Sequence, residues 1–540
     1  MTEAVAPTAL EISLDISALP YYAFRSVARM FIAYSWALLF TFTYGSLAAH
    51  SRTAERVLMP LLDILQSIPV LGFLSATITA FIALFPGSMM GMELAAIFAI
   101  FTSQAWNMAF SFFQSVRAIP RDLHESALMC RLTPFQRFLR LEVPFAMNGL
   151  VWNSMVSFGG GWFFLAASEA ITVLGQDIRL PGIGSYLATA VASADWHAIW
   201  AAIVAMVLLI VVIDFFFFRP LLAWAQRFSQ GSAMDEEYES SVLTALQRSN
   251  LVEQVQERVV APITGFLVNR LPAMLASGAT RTTGRVPRPV LRWIGRAVWI
   301  TIGVLLAIRV VEGLGWFVEE VSTDDLIEVV LAGGATLVRV LCVVAIASVV
   351  WVPIGTYIGM RPAFARRLRP VIQLGAAFPA NLVFPLLVLL FVHMGLDLSY
   401  GAVILMTIAT QWYILFNVIV GALTIPEDLK EVGKVLRLSR WQRFRNIVAP
   451  VVMPYWVTGA LTAAGGAWNA SIVAEVALVG DDRLTTFGLG SYMTRATAVG
   501  DWKGILLSIA TMCILVVASN RFIWRRLYLY AEEHLKIEEP

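Results

Sequence analysis

Ile119-Pro120-Arg121-Asp122-Leu123-His124-Glu125 returns as Ile425-Pro426-Glu427-Asp428-Leu429-Lys430-Glu431. Thr133-Pro134-Phe135-Gln136-Arg137-Phe138 returns at the same offset as Ser439-Arg440-Trp441-Gln442-Arg443-Phe444, and the register holds without a gap to Asp195-Trp196 and Asp501-Trp502. A polar loop that occurs twice between hydrophobic spans reads as two equivalent docking places on a pseudo-symmetric membrane machine, not as one catalytic pocket.

The repeat extends in both directions. Arg29, Gly45, Arg56, Pro60 and Pro69 meet Arg339, Gly355, Arg366, Pro370 and Pro379, and Trp106 and Phe110 meet Trp412 and Phe416. Downstream, Gly159-Gly160, Trp162, Glu169, Gly182 and Gly184-Ser185-Tyr186 meet Gly465-Gly466, Trp468, Glu475, Gly488 and Gly490-Ser491-Tyr492. Shared apolar composition would align Leu, Ala and Val. It would not align Glu, Trp, Asp and Arg.

The 540 residues are 58% hydrophobic and 14% charged, with a mean hydropathy of +0.73. Soluble domains carry about 25% charged residues, so most of this chain must face lipid. A net charge of +2 points to no nucleic-acid partner. Cys130, Cys342 and Cys513 and the five histidines are dispersed, which suggests neither a disulfide framework nor a metal site. No basic residue precedes Arg25 and no early apolar run exists, so no cleaved signal peptide is expected.

A membrane span needs about 20 apolar residues. About eleven runs qualify: 28–48, 66–86, 92–114, 145–173 and 198–218, then 297–316, 328–359, 371–395, 400–421, 451–479 and 504–524. The predicted organisation is a first half at 1–218, a cytoplasmic linker at 219–296 and a second half at 297–540. The linker is expected to carry an amphipathic helix near Ser241–Val260. The run at 328–359 is too long for one span and is expected to overshoot the lipid or bend. With both repeated loops in the cytoplasm, most of the 39 Lys and Arg fall on that side. The N-terminus is then outside and the C-terminus inside. The extra span at 297–316 restores the orientation of the second copy, so the halves run parallel in an all-α membrane fold.

Each repeated loop reads as two short helices. Pro120 suits a helix start, and Asp122 and Glu125 suit its positive end. Thr133 and Gln136, or Ser439 and Gln442, can form a capping box. Pro144 and Pro450 are expected to end the second short helix before the next span.

These loops resemble the EAA loop of binding-protein-dependent ABC importer permeases. That pattern is Glu-Ala-Ala, a Gly a few residues on, then Gln-x-Phe and a Pro. Ser67-Ile68-Pro69-Val70, and Ala474-Glu475-Val476 leading to Gly488–Tyr492, resemble the nitrate/sulfonate/taurine/bicarbonate branch. Coverage of both halves is similar to that branch's duplicated permeases. The resemblance implies a type I importer-like fold and a transport subunit of the bacterial inner membrane, not an enzyme. It implies two copies of a separate ABC ATPase that bind ATP and Mg, no cofactor on this chain, and an external substrate-binding protein. It also implies alternating access for a small anion. Its contact positions fall on Glu125, Leu132, Gln136 and Phe138, and on Glu431, Leu438, Gln442 and Phe444. Consistent with this, the chain has no Gly-x-x-x-x-Gly-Lys-Ser/Thr phosphate loop.

The sequence departs from the pattern at its glycine, which is Arg131 in one copy and Arg437 in the other. Because Arg tolerates the left-handed backbone poorly, a turn of different shape is expected.

Ionisable residues at membrane depth form the second candidate set. Arg29 and Arg339 are candidates for flanking an anion path or for structural pairing. Glu169 lies about 37 Å along the helix from Pro144, near a membrane edge. A carboxylate repels anions, so Glu169 and Glu475 are assigned a gating or structural role, paired with an Arg. Gly159-Gly160-Gly161 reads as a packing surface or a hinge. Gln104, Asn107, Asn153, Gln411, Asn417 and Asn469 either line a cavity or bond helix to helix. The alternative function is an ion-coupled secondary anion transporter. It would require a mid-membrane cluster of ionisable groups, which the sequence lacks.

Overall fold

The computed structural model describes residues 11–67, 69–86, 88–173, 176–228, 243–244, 315, 321–479 and 482–535. Among these, eight helical runs are long and apolar enough to cross a membrane. They are Ile16–His50, Met90–Arg117, Pro134–Glu169, Trp196–Phe228, Thr323–Gly359, Leu398–Leu423, Arg440–Ala474 and Trp502–Ala531. Their outward faces are apolar, with Phe24, Leu208, Val349 and Ile514 exposed as lipid-facing side chains must be.

Two expected spans are broken helices instead. The run at 66–86 divides at Pro69 into Arg52–Ser67 and Val70–Leu84. The run at 371–395 divides at Pro379 into Pro362–Ala377 and Phe384–His393, with a single tight turn at Ala380–Leu382 between them. Proline lacks an N–H and pushes the residue before it out of the α region, so uninterrupted hydropathy there does not mean an uninterrupted helix. The expected span at 297–316 and the linker helix at 241–260 lie outside the described residues, apart from Leu243, Thr244 and Gly315. Thr323–Gly359 is one helix of 37 residues with Pro353 inside it. At 1.5 Å per residue it is about 55 Å long and overshoots the lipid core.

The helices of the runs at 145–173 and 451–479 are shorter than expected. The helices end at Glu169 and Ala474. Each is followed by a two-stranded antiparallel hairpin, with Ala170 paired to Arg179 and Val476 to Thr485. Ile171-Thr172-Val173 and Val476 to Val479 are rich in β-branched residues, which favour this change of period.

The described helices cluster into two compact units. One comprises residues 1–110, 153–212 and 327–540, and the other comprises 111–152 and 213–326. In the first unit the halves interlock reciprocally. Helix Leu489–Val499 packs on strand Ala170–Val173 of the other half, and Ile183–Ala192 packs on strand Val476–Val479. The first half's Val70–Leu84 also lies against Ala449–Ala474, with Val70, Leu74, Ile78 and Ile82 forming one core with Ile472 and Val473. Leu398–Leu423 runs along Ala449–Ala474. The approach there needs Gly421, since a Cβ would stand 2.7 Å from the ring of Tyr455.

π-helical turns occupy Phe138–Glu142 and Asp214–Phe218, and recur at the repeat offset as Phe444–Val448 and Asn520–Trp524. They correct the expectation for Pro144 and Pro450. Neither proline ends a helix. Each sits in the first turn of the span that follows a π turn, where a missing N–H costs little. The glycine run 159–161 likewise lies inside the continuous helix Val143–Glu169. It packs rather than breaks the helix: a Cβ on Gly161 would come within 2.8 Å of Gln104 Nε2.

Candidate functional site

The repeated loops fold alike. Arg121–Met129 and Glu427–Val435 are nine-residue helices that begin directly after Pro120 and Pro426. Each closes in a Schellman motif. Leu132 N–H donates to Ala127 O at 3.1 Å and Arg131 N–H to Leu128 O at 2.9 Å. Leu438 and Arg437 make the same bonds to Gly433 and Lys434, at 3.1 and 3.0 Å. The motif needs a left-handed residue, and Arg131 and Arg437 supply it at φ 52° and 47°. The turn therefore keeps the shape glycine would give it, contrary to expectation, and the arginines carry the strain. A left-handed non-glycine residue costs about 1–2 kcal/mol. Arg131→Gly and Arg437→Gly are each expected to raise stability by about 1 kcal/mol, read as a higher midpoint of thermal unfolding in detergent.

Both capping boxes form. Thr133 Oγ1 accepts from Gln136 N–H at 3.2 Å, and Thr133 N–H donates to Gln136 Oε1 at 3.0 Å. Ser439 and Gln442 do the same at 3.3 and 2.9 Å. Gln136 and Gln442 thus use an amide oxygen to build the loop itself. Phe138 is half-buried, edge-on to Phe112 at 6.2 Å, and Phe444 stacks on Trp441 at 5.8 Å. Leu132 and Leu438 are half-buried, while Glu125 and Glu431 are exposed. The Lys430 ammonium, 2.8 Å away, holds the exposed Glu427 carboxyl below the usual carboxylate range.

The most exposed apolar side chains of these loops are ones the motif did not nominate: Met129 at 85%, Val435 at 80% and Trp441 at 68%. Leu128, Val432 and Leu436 accompany them. An apolar residue in the last turn of a short, otherwise polar helix was the available signal. These side chains form apolar knobs of the kind that fit a groove on a partner.

The ionisable pairs form two related clasps. In the first half Arg29, 2% exposed, chelates Glu93 through Nε at 2.6 Å and Nη2 at 2.8 Å. Its Nη1 donates to Glu169 Oε1 and to Pro181 O, both at 2.8 Å. Arg25 also reaches Glu93. Glu169 is fully buried and accepts from Ser26 Oγ at 2.6 Å and Gly184 N–H at 2.8 Å, while Ser26 Oγ accepts from Ile183 N–H. The second half repeats this geometry. Glu475 accepts from Arg339 at 2.9 Å, Thr336 at 2.7 Å and Gly490 N–H at 2.8 Å. Leu489 N–H donates to Thr336 Oγ1. Gly182 and Gly488 are required by proximity, because a Cβ at either would overlap the carboxylate. The clasps join helix Leu19–His50, or Thr323–Gly359 in the second half, to the end of the helix before the hairpin and to the helix after it.

The clasps differ in one respect. Glu93 has Ser399 at its repeat position, and Ser399 shares a hydrogen bond with Thr486 at 2.8 Å. Thr486 in turn accepts from Arg339 Nη2 at 2.9 Å. Arg29 meets two carboxylates, whereas Arg339 meets one carboxylate and a hydroxyl. Glu93 and Thr486 escaped the sequence reading because neither is matched by a like residue in the other half.

Of the polar span residues, Asn107 donates to Ser157 at 3.0 Å, Gln411 accepts from Trp351 at 2.9 Å, and Asn417 donates to Tyr413 O at 2.8 Å. Asn153 is also engaged. Gln104 is buried, and Asn469 lines a cavity. Among the described residues no cluster of His, Cys, Asp and Glu could hold a metal.

A duplicated bundle of helices long and apolar enough to cross a membrane, with matching clasps and matching short helices in its loops, defines a two-halved polytopic membrane protein. The family model for the binding-protein-dependent transport system inner membrane component matches residues 41–219 and again 351–528, more than half of the chain. The chain belongs to that family of ABC permeases and carries its domain twice. It is 28% identical over 189 residues to a nitrate import permease of Synechocystis, an alignment covering 35% of this chain and 65% of that protein. It is 34% identical over 147 residues to a bicarbonate transport permease of Synechocystis, covering 27% of this chain and 51% of that protein. A riboflavin transport permease of Chloroflexus aurantiacus is 28% identical over 150 residues, covering 28% of this chain and 52% of that protein.

Proposed function

We propose that this chain is the complete transmembrane part of an ATP-driven importer for a small anion such as nitrate or bicarbonate. The observation that carries this reading is the pair of short helices. Each is locked by a Schellman motif and a capping box, and each presents exposed apolar knobs beside an exposed glutamate. Two copies of a separate ABC ATPase dock there, at Glu125, Leu132, Gln136 and Phe138 and at Glu431, Leu438, Gln442 and Phe444. Both loops lie in the cytoplasm, with the N-terminus outside and the C-terminus inside. ATP and Mg bind the ATPases, and this chain carries no cofactor. Closing of the ATPase pair draws the loops together and opens the path outward, and a binding protein delivers the anion. Small-anion transport is supported by the nitrate and bicarbonate relatives.

Co-purification and uptake test the reading. An ABC ATPase is expected to accompany the chain from its native membrane. Proteoliposomes of that complex with its binding protein should accumulate labelled nitrate or bicarbonate only with ATP inside the cytoplasmic compartment. Uptake driven by an ion gradient with no ATPase present would instead establish the secondary transporter.

A further inference from the structure

Within the first compact unit, among the spans, lies a cavity of about 60 Å3. A water needs about 10–15 Å3 measured this way, so roughly four waters or one four-atom ion fit, and a flavin does not. Gly160 and Gly466, which correspond in the repeat, both line it. A space bounded by equivalent residues of both halves sits on their pseudo-twofold axis, where a solute passing between the halves must go.

The wall around that axis is not symmetric. The second half contributes Tyr413 and Asn469, whose repeat counterparts are Asn107 and Phe163. Asn107 is committed to Ser157, and Phe163 has no polar side-chain atom. Asn469 Oδ1 is buried without a partner, and so is Oδ1 of Asn381, whose Nδ2 donates to the carbonyl of the cavity residue Phe163 at 3.2 Å. No described residue hydrogen-bonds the Tyr413 hydroxyl. Unmet polar groups inside membrane spans are costly, so this set calls for water or a polar solute. Among the described residues, no Asp, Glu, Lys, Arg or His lines the cavity.

We propose that this cavity is a passing station for a small oxyanion, held by the neutral hydrogen-bonding side chains Tyr413 and Asn469 of the second half. The proposal rests on the anion-import reading above and adds the place and chemistry of contact. The Tyr413 hydroxyl donates to the anion. Asn469 has only a long bond to Gly465 O at 3.3 Å, so turning its amide to present NH2 sacrifices little. A resident cation between the spans would hold an anion firmly, whereas neutral donors permit release, which conduction demands.

The test uses the complete transporter with its ATPase, and nitrate and bicarbonate as probes. Tyr413→Phe and Asn469→Leu are each expected to lower the maximal uptake rate about tenfold, with the concentration for half-maximal uptake unchanged because capture occurs upstream. Asn469→Gln should retain most activity. Unchanged uptake in both Tyr413→Phe and Asn469→Leu overturns the station. If Asn469→Leu fails to fold, Tyr413→Phe, which deletes one oxygen, still decides. A second arm needs no transport. In a variant with Cys130, Cys342 and Cys513 replaced, Ala409→Cys, a cavity-lining position that leaves Tyr413 and Asn469 in place, should react in nanodiscs with a small water-borne thiol reagent, and nitrate or bicarbonate should slow that reaction. Labelling that neither anion slows, or no labelling, overturns anion binding here. Wild-type transporter that carries neither anion, combined with protected labelling, refutes the transport reading and leaves the station standing.

Discussion

Glu475→Gln destabilises the protein more than Glu169→Gln, although the two glutamates are equivalent in the repeat. Gln preserves size and an acceptor oxygen for Gly490 or Gly184, removes the charge, and turns the other oxygen into an NH2 that faces the Arg and hydroxyl donors. Arg29 then still holds Glu93 through two bonds, so the loss in the first half is about that of a charged hydrogen bond, ~1.5–3 kcal/mol. Arg339 is 12% exposed and would be left with the Thr486 hydroxyl as a described hydrogen-bond partner and the exposed, solvent-screened Asp397 carboxylate as counter-charge. Breaking a buried pair costs up to about 3–5 kcal/mol. Adding Arg339→Met to Glu475→Gln should recover part of the loss, because the stranded charge is gone. Thermal unfolding of the purified protein in detergent reads all three variants. Equal shifts for the two single variants, or no recovery in the double variant, would refute this account of the clasps.

Reversing both Glu125→Lys and Glu431→Lys should abolish ATP-driven uptake, by at least about tenfold, while the protein keeps its fold. Both carboxylates are exposed, and neither is in an ion pair among the described residues. Fold stability should therefore change within about 0.5 kcal/mol, as for other surface substitutions. What changes is charge complementarity toward the ATPase, where like-charge contacts cost several kcal/mol. The double variant is expected to lose its co-purifying ATPase. The two single variants report whether the sites are equal, since Trp441 and Val435 give the second loop a different apolar face from Phe135 and Met129. Undiminished uptake by the double variant would remove these glutamates from the docking surface.

Much of this architecture is legible in the residues because it is written twice. Arg29 with Arg339, and Glu169 with Glu475, stand out in the repeat, and the structure joins each Arg to its Glu. The capping boxes are equally readable, since Thr133 with Gln136 and Ser439 with Gln442 involve only local bonds. Features set by tertiary contact or by a change of period are not. Hydropathy alone does not separate a helix from the hairpins after Glu169 and Ala474, because both are apolar. Nor does it register that Pro69 and Pro379 break a span while Pro144 and Pro450 do not. Pro144 and Pro450 sit in the first turn of a helix, whereas Pro69 and Pro379 stand between helices. Arg131 and Arg437 teach the converse lesson. Their propensity argues against a left-handed turn, yet the two Schellman bonds in each loop impose one.

The first clasp also sets an order of events during synthesis. Arg29 leaves the ribosome 64 residues ahead of Glu93 and 140 ahead of Glu169. At about 5–20 residues per second, the second delay is roughly 7–30 s. Until Glu93 is made the guanidinium has neither counter-ion, and until that interval ends it still lacks Glu169, so hydrocarbon is a costly place for it to wait. The nascent segment must therefore linger at the headgroups or inside the insertion machinery, and it settles only when the later carboxylates arrive.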